Sequence, residues 1–281
     1  MKIAVLTDSG GGLSKQEADA LGIFYLPLQI IDGDDVYLDG ENVSTEKVFQ
    51  MIKEEKMLKT SLPPMGMMEA LFQELKVQGY EHVINIPLNP GLSGTAQSII
   101  MLAEQNDMPI TSFDTYTTAG IQAYLSKAAK RLVDEGVALD EICKRIENSI
   151  AHSNTLIIPN DLHHLKRGGR LTPLAATLGG MLKIKPILNL NKASNGKIDT
   201  FAKVRTMSKA MKLAVETLSK EGIGDDYVLA ILHTGSDDVK ELEDLYFSKY
   251  PKNEYIRGFI APILSVHTGL GCMGIQYIKK V

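Results

Sequence analysis

Tryptophan is missing from this 281-residue sequence, and cysteine occurs only at Cys143 and Cys272. Two distant thiols in no metal-type spacing build neither a disulfide framework nor a zinc site, so reduced thiols and no metal are the default. No apolar run approaches the roughly 20 residues that cross a bilayer, so any lipid chemistry must proceed by enclosing lipid inside the protein. An excess of one charge is also lacking. The 30 basic and 34 acidic residues leave a formal net charge of -4, which gives no global attraction to nucleic acid or anionic lipid. Met1 to Asp8 passes from a short apolar run straight into a turn, too short for a signal h-region, and a cytoplasmic location is expected. Neither a Walker pattern nor a dinucleotide fingerprint is found, so no cofactor is expected.

What is present is ordinary globular material, 44% hydrophobic and 23% charged. The length exceeds that of one typical compact domain and predicts two. Short β-rich runs alternate with helical patterns in the first half, the mark of parallel βαβ units. Strands are expected at Ile3 to Leu6, His82 to Ile86 and Ile110 to Phe113. Ser44-Thr45-Glu46-Lys47 reads as a capped helix start, and further helices are expected from about Gly94 to Gln105 and Thr118 to Glu135. Beyond Thr155 the pattern changes. Strands at Ile184 to Leu190 and Lys197 to Phe201 flank an Asn195-Gly196 hairpin signal, and Ile263 to His267 and Met273 to Ile278 read as terminal strands. The expectation is an α/β protein of two domains, 1–155 with a mainly parallel sheet flanked by helices and 156–281 with a mixed sheet and helices. Clefts between packed domains are common ligand sites.

Four loops carry small hydroxyl residues and glycines beside apolar strands. Thr7-Asp8-Ser9-Gly10-Gly11-Gly12 is either an anion-binding turn or a plain tight turn. In Lys59-Thr60-Ser61-Leu62-Pro63-Pro64 two hydroxyls precede rigid prolines, which suits a fixed hydrogen-bond partner or a helix cap. Pro90-Gly91-Leu92-Ser93-Gly94-Thr95 joins a strand end to a helix start, where negative charge is favoured. It departs from the Gly-x-Ser-x-Gly nucleophile elbow, because a glycine directly follows Ser93. Ser265 to Gly271 carries His267, which can donate to a carboxylate or phosphate, or can simply be hydrogen-bonded in place. Basic segments at Lys166 to Arg170 and at Lys203 and Arg205 suit phosphate or an acidic partner, or a solvated surface. His163-His164 near Asp161 completes no spaced ligand set.

In this order and spacing the segments resemble the DegV family, which includes the fatty-acid-binding carrier subunits of bacterial fatty acid kinase. The resemblance spans essentially the whole chain. It rests on Asp8-Ser9, Thr60 to Pro63, Leu92 to Thr95, Phe113-Asp114-Thr115, Leu165 to Leu171, Ile184 to Ile187, Gly196 to Arg205 and His267 to Gly271. Leu62, Leu270, Arg167 and Asn89-Pro90 depart from the family's usual glutamine, proline, lysine and serines. The resemblance implies an acyl chain in a tunnel between the domains, its carboxylate held by Thr60 and Ser93 with His267 nearby and Ser61 as a neighbour. It also implies that Arg170, Lys203 and Arg205 surround the carboxylate end where a kinase docks. Leu92, Leu178, Met181 and Leu182 are candidate tunnel-lining residues.

The expected ligand is a long-chain fatty acid such as palmitate, stearate or oleate, and the expected partner is the ATP-binding subunit of a fatty acid kinase. Transient membrane contact fits this reading, and the chain alone is expected to be no enzyme. A second reading is a stand-alone hydrolase or phosphotransferase using Ser93, His267 and Asp8 or Asp114. A third is a lipid-responsive regulator that binds the same ligand without a kinase.

Overall fold

A computed structural model describes residues 1–180 and 184–281. Its fold class is the expected one, with a parallel sheet in the first part of the chain and a mixed sheet in the second. Strands β1 (Ile3–Asp8) and β2 (Phe24–Leu26) lie side by side. Strands β3 (Gln29–Asp32), β4 (Asp35–Leu38) and β5 (Lys59–Ser61) form a small antiparallel sheet in the order β4-β3-β5. Strands β6 (His82–Ile86) and β7 (Ile110–Ser112) complete a four-stranded parallel sheet in the order β2-β1-β6-β7.

The chain changes sheets between the helix Leu139–Ala151 and strand β8 (Ser153–Ile158). With β9 (Lys185–Leu190), β10 (Asp199–Val204), β11 (Tyr227–His233), β12 (Glu254–Phe259) and β13 (Met273–Lys279), β8 forms a six-stranded sheet. The order is β10-β9-β8-β13-β11-β12, and β11 with β12 is its parallel pair. Asn195 and Gly196 between β9 and β10 both take positive φ, 52° and 66°, as the Asn-Gly signal requires.

Alternation along these strands places the ligand-facing surface. Side chains at i and i+2 share a face, and Leu156, Ile158, Leu229, Ile231, Met273 and Ile275 all pack on the helices Met207–Lys220 and Val239–Lys249. Their neighbours Thr155, Ile157, Leu232, Gly274 and Gln276 therefore face the other way, toward the first half of the molecule.

One predicted element is wrong in kind. Ile263 to His267 is not a strand but lies within the helix Pro262–Thr268. A short run rich in β-branched residues does not distinguish a strand from a buried helical turn. Pro262 at the first helical turn, with φ preset and no amide to satisfy, settles the matter locally. The Ser265 hydroxyl adds bonds back to the Ile260 and Ala261 carbonyls.

Candidate functional site

Between the two halves lies a cavity of about 330 Å³, bounded by largely apolar atoms. Its floor is the inner face of the mixed sheet. Leu28, Leu88 and Leu92 from the first half and Ile263 and Leu264 from the Pro262–Thr268 helix cover it. Of the candidate tunnel-lining residues, Leu92 lines the cavity, Leu178 is buried in the adjoining apolar cluster, and Met181 and Leu182 lie outside the described residues.

Thr60, Ser61, Ser93 and His267, which are scattered in sequence, all line this cavity. Thr60 sits on β5 and so is not a helix cap. Its Oγ1 lies 2.8 Å from His267 Nε2. The other ring nitrogen, Nδ1, is 3.1 Å from the Gly168 carbonyl oxygen. A carbonyl can only accept, so Nδ1 carries the proton and, in the neutral ring, Nε2 accepts from the Thr60 hydroxyl. Burial, with the nearby Arg170 charge and His164 adding to it against the Gly168 bond, lowers the His267 pKa to about 4. The ring is therefore neutral at physiological pH.

Gly168 is glycine for a packing reason. A Cβ there would meet the His267 carbonyl oxygen at 2.9 Å and its Cα at 3.1 Å, both backbone atoms. The same Gly168 carbonyl accepts from Arg170 Nη1 at 2.8 Å. Arg170 Nε reaches toward the Leu92 carbonyl at 3.5 Å, and the half-buried guanidinium lines the cavity. Burial lowers its pKa from the ordinary value.

Ser93 follows a turn in which its amide and that of Leu92 both bond the Asn89 carbonyl. The helix beyond is Thr95–Gln105, with Gly94 at its cap position, so Ser93 is not the cap residue itself. Ser93 Oγ lies 2.8 Å from Thr95 Oγ1 and accepts from the Thr95 amide at 3.3 Å. The hairpin tip of the second half closes on this turn so tightly that a Cβ on Gly91 would fall 2.2 Å from the Gly196 carbonyl oxygen. One end of the cavity thus gathers the Thr60 and Ser93 hydroxyls, a neutral imidazole and a guanidinium, with Ser61 beside Thr60.

Lys203 and Arg205 do not join this cluster. They are exposed at the end of edge strand β10, where Lys203 pairs with Pro186, at the same end of the sheet as residues 160–170. Asp8 is fully buried and committed, accepting from the amides of Gly10 and Leu88 and from Gln122 Nε2. Burial, partly offset by these donors, raises its pKa to about 6. Asp114 accepts from the Tyr116 amide.

Sequence reasoning missed the far end of the cavity, where Thr155 and Gln276 pair across β8 and β13. Gln276 Nε2 donates to the Thr118 carbonyl and to Thr155 Oγ1, each at 2.9 Å, while its Oε1 accepts from the Ile121 amide at 3.2 Å. The available signal was a glutamine inside the apolar run Met273 to Ile278, since a buried amide demands partners.

Comparison with known proteins gives the family and the fold. Residues 2–280 match the family model described as an uncharacterised protein of the DegV family. A DegV domain-containing protein of Halalkalibacterium halodurans is 31% identical over 284 residues, covering 99% of each chain. The crystal structure of a fatty acid binding DegV family protein from Streptococcus agalactiae superposes with a TM-score of 0.91 at 29% identity, covering 100% of both chains. That of DegV, a fatty acid binding protein from Bacillus subtilis, gives a TM-score of 0.88 at 28% identity, again over 100% of both chains. The chain is a member of the DegV family.

Proposed function

We propose that this protein encloses one long-chain fatty acid, of the palmitate, stearate or oleate class, and presents its carboxylate to a separate kinase that converts it to an acyl-phosphate. The carrying observation is a largely apolar cavity whose polar groups at one end, Thr60, Ser93, His267 and Arg170, converge on a single space. Fatty acid binding by the structurally similar proteins of Streptococcus agalactiae and Bacillus subtilis supports the same ligand. In this reading residues 1–155 and 156–281 are the two domains that close on the acyl chain.

The energetics favour such a ligand. Roughly 15 methylenes at ~0.8 kcal/mol each give about 12 kcal/mol of gross burial, against association costs of about 4 to 15 kcal/mol. Tail burial therefore supplies most of the affinity. A buried carboxylate is costly unless several donors meet it. Ser93 can turn its hydroxyl hydrogen to the ligand while accepting from Thr95. Thr60 can do so only by releasing His267 Nε2, which then gains from taking up a proton and donating back. The Arg170 charge offsets that of the ligand. Arg170, Lys203 and Arg205 would face the docked kinase, and exposed Leu174 and Phe201 fit transient membrane contact.

The hydrolase reading lacks its geometry: Ser93 is bonded to Thr95 rather than to His267, and His267 Nδ1 meets a carbonyl rather than a carboxylate. Incubation of the purified chain with ATP and palmitate is expected to yield no acyl-phosphate until the kinase subunit is added. Turnover without that subunit contradicts the carrier function. Capture of the kinase subunit by the lipid-loaded chain separates a carrier from a lipid-responsive regulator.

A further inference from the structure

The two ends of the cavity differ in what they leave free. At the far end every polar side-chain atom of Gln276 and Thr155 already has a partner inside the protein. Thr117 and Thr118 tie into the same group, and Thr118 Oγ1 also bonds the Gly10 carbonyl at 3.0 Å. These residues come from both halves of the molecule and are all buried. Such a saturated network offers nothing to a ligand and resists displacement, because moving any member strands a buried donor.

Gly274 lies two residues before Gln276 on the same face of β13, paired with Ile157. A Cβ added there would find no atom closer than Ile260 Cδ1 at 3.8 Å and the Leu232 carbonyl at 3.9 Å, ordinary contact distances. Gly274 is also a lining residue, so the space that a side chain would take is cavity space. Its extended strand conformation suits any residue, and turn geometry does not account for the glycine.

We propose that this end of the cavity is a length stop, in which the Thr155–Gln276 pair blocks the methyl terminus of the acyl chain and Gly274 is the specificity-determining position that leaves room beside it. The proposal rests on the fatty-acid reading above and names what that reading leaves open, the chain length. A valine at position 274 would shorten the usable cavity, and an alanine at position 155 would lengthen it.

The test measures displacement of a fluorescent fatty acid by the saturated series from lauric to arachidic acid, for wild type, Gly274→Ala, Gly274→Val and Thr155→Ala. For Gly274→Val the affinity for stearate is expected to fall about tenfold, the burial of roughly two methylenes, with laurate changed less than about threefold. Gly274→Ala should shift the profile the same way by a smaller amount, and Thr155→Ala should shift it toward longer acids. A Gly274→Val profile that matches wild type overturns the proposal. Should the valine variant fail to fold, an unshifted Gly274→Ala profile overturns it equally. If wild type binds no member of the series, the fatty-acid reading itself fails, which is a distinct result.

Discussion

The mouth and the closed end of the cavity both combine hydroxyls with nitrogen-bearing side chains, His267 and Arg170 at the mouth and Gln276 at the closed end, yet they are wired differently. At the closed end Thr155, Thr117 and Gln276 satisfy one another and fix the two halves together. At the mouth the Thr60 hydroxyl and the His267 ring hold each other in an arrangement that an incoming anion can rearrange. Residue type alone therefore does not identify a binding group. What matters is whether its hydrogen-bonding capacity is already committed.

This contrast can be broken most severely at the mouth. Thr60→Val combined with Ser93→Ala is expected to lower fatty acid affinity by two orders of magnitude or more, about 3 kcal/mol, a loss larger than the stability cost of leaving His267 Nε2 without its Thr60 partner. Isothermal titration beside thermal unfolding checks this. Thr155→Val should show the reverse balance, a stability loss of about 1 to 3 kcal/mol in denaturant titration with affinity held within about threefold. Equal affinity losses in the two variants would erase the distinction.

A third effect is pH-dependent. His267 binds its second proton only near pH 4 in the free protein, and a carboxylate at the mouth would raise that value. The complex then holds more protons than the free protein at neutrality, so affinity should rise severalfold as pH falls from about 8 to about 6. His267→Gln should flatten this slope, as read by titration across pH. The smallest effect concerns the unliganded fold. A histidine whose folded pKa of about 4 lies below the ordinary 6.5 costs stability as pH falls between those values. Asp8 and Asp39, raised by burial to about 6 and about 7, act oppositely, contributing stability at low pH that is lost as pH rises through those values. Acid unfolding of His267→Gln should therefore begin at lower pH than that of wild type.

Much of the fold was legible because local signals agreed with the tertiary answer. His82–Ile86 is a strand of the predicted extent, and Ser44 caps its helix by accepting from the Lys47 amide. Strand β12 escaped because it is an edge strand, mostly exposed, with no alternation to read. The helix around His267 was misread because five residues of apolar, partly β-branched sequence carry no decisive period. For the candidate site, Thr60, Ser93 and His267 were singled out through their loops and the family resemblance, and all three line the cavity. Arg170 was expected around the carboxylate end where a kinase docks; its side chain lines the cavity, where Gly168 and Leu92 supply carbonyls that draw it inward. The wiring that separates Thr60 from Thr155 depends on partners 207 and 121 residues away, which no local pattern carries.

Fatty acid carriage is read out by mass spectrometry of an organic extract from the purified, folded protein. A long-chain fatty acid in near one-to-one ratio with protein is expected, largely absent from the Thr60→Val, Ser93→Ala double variant. An extract without fatty acid, from a wild-type protein that also takes none up when it is supplied, would contradict fatty acid carriage.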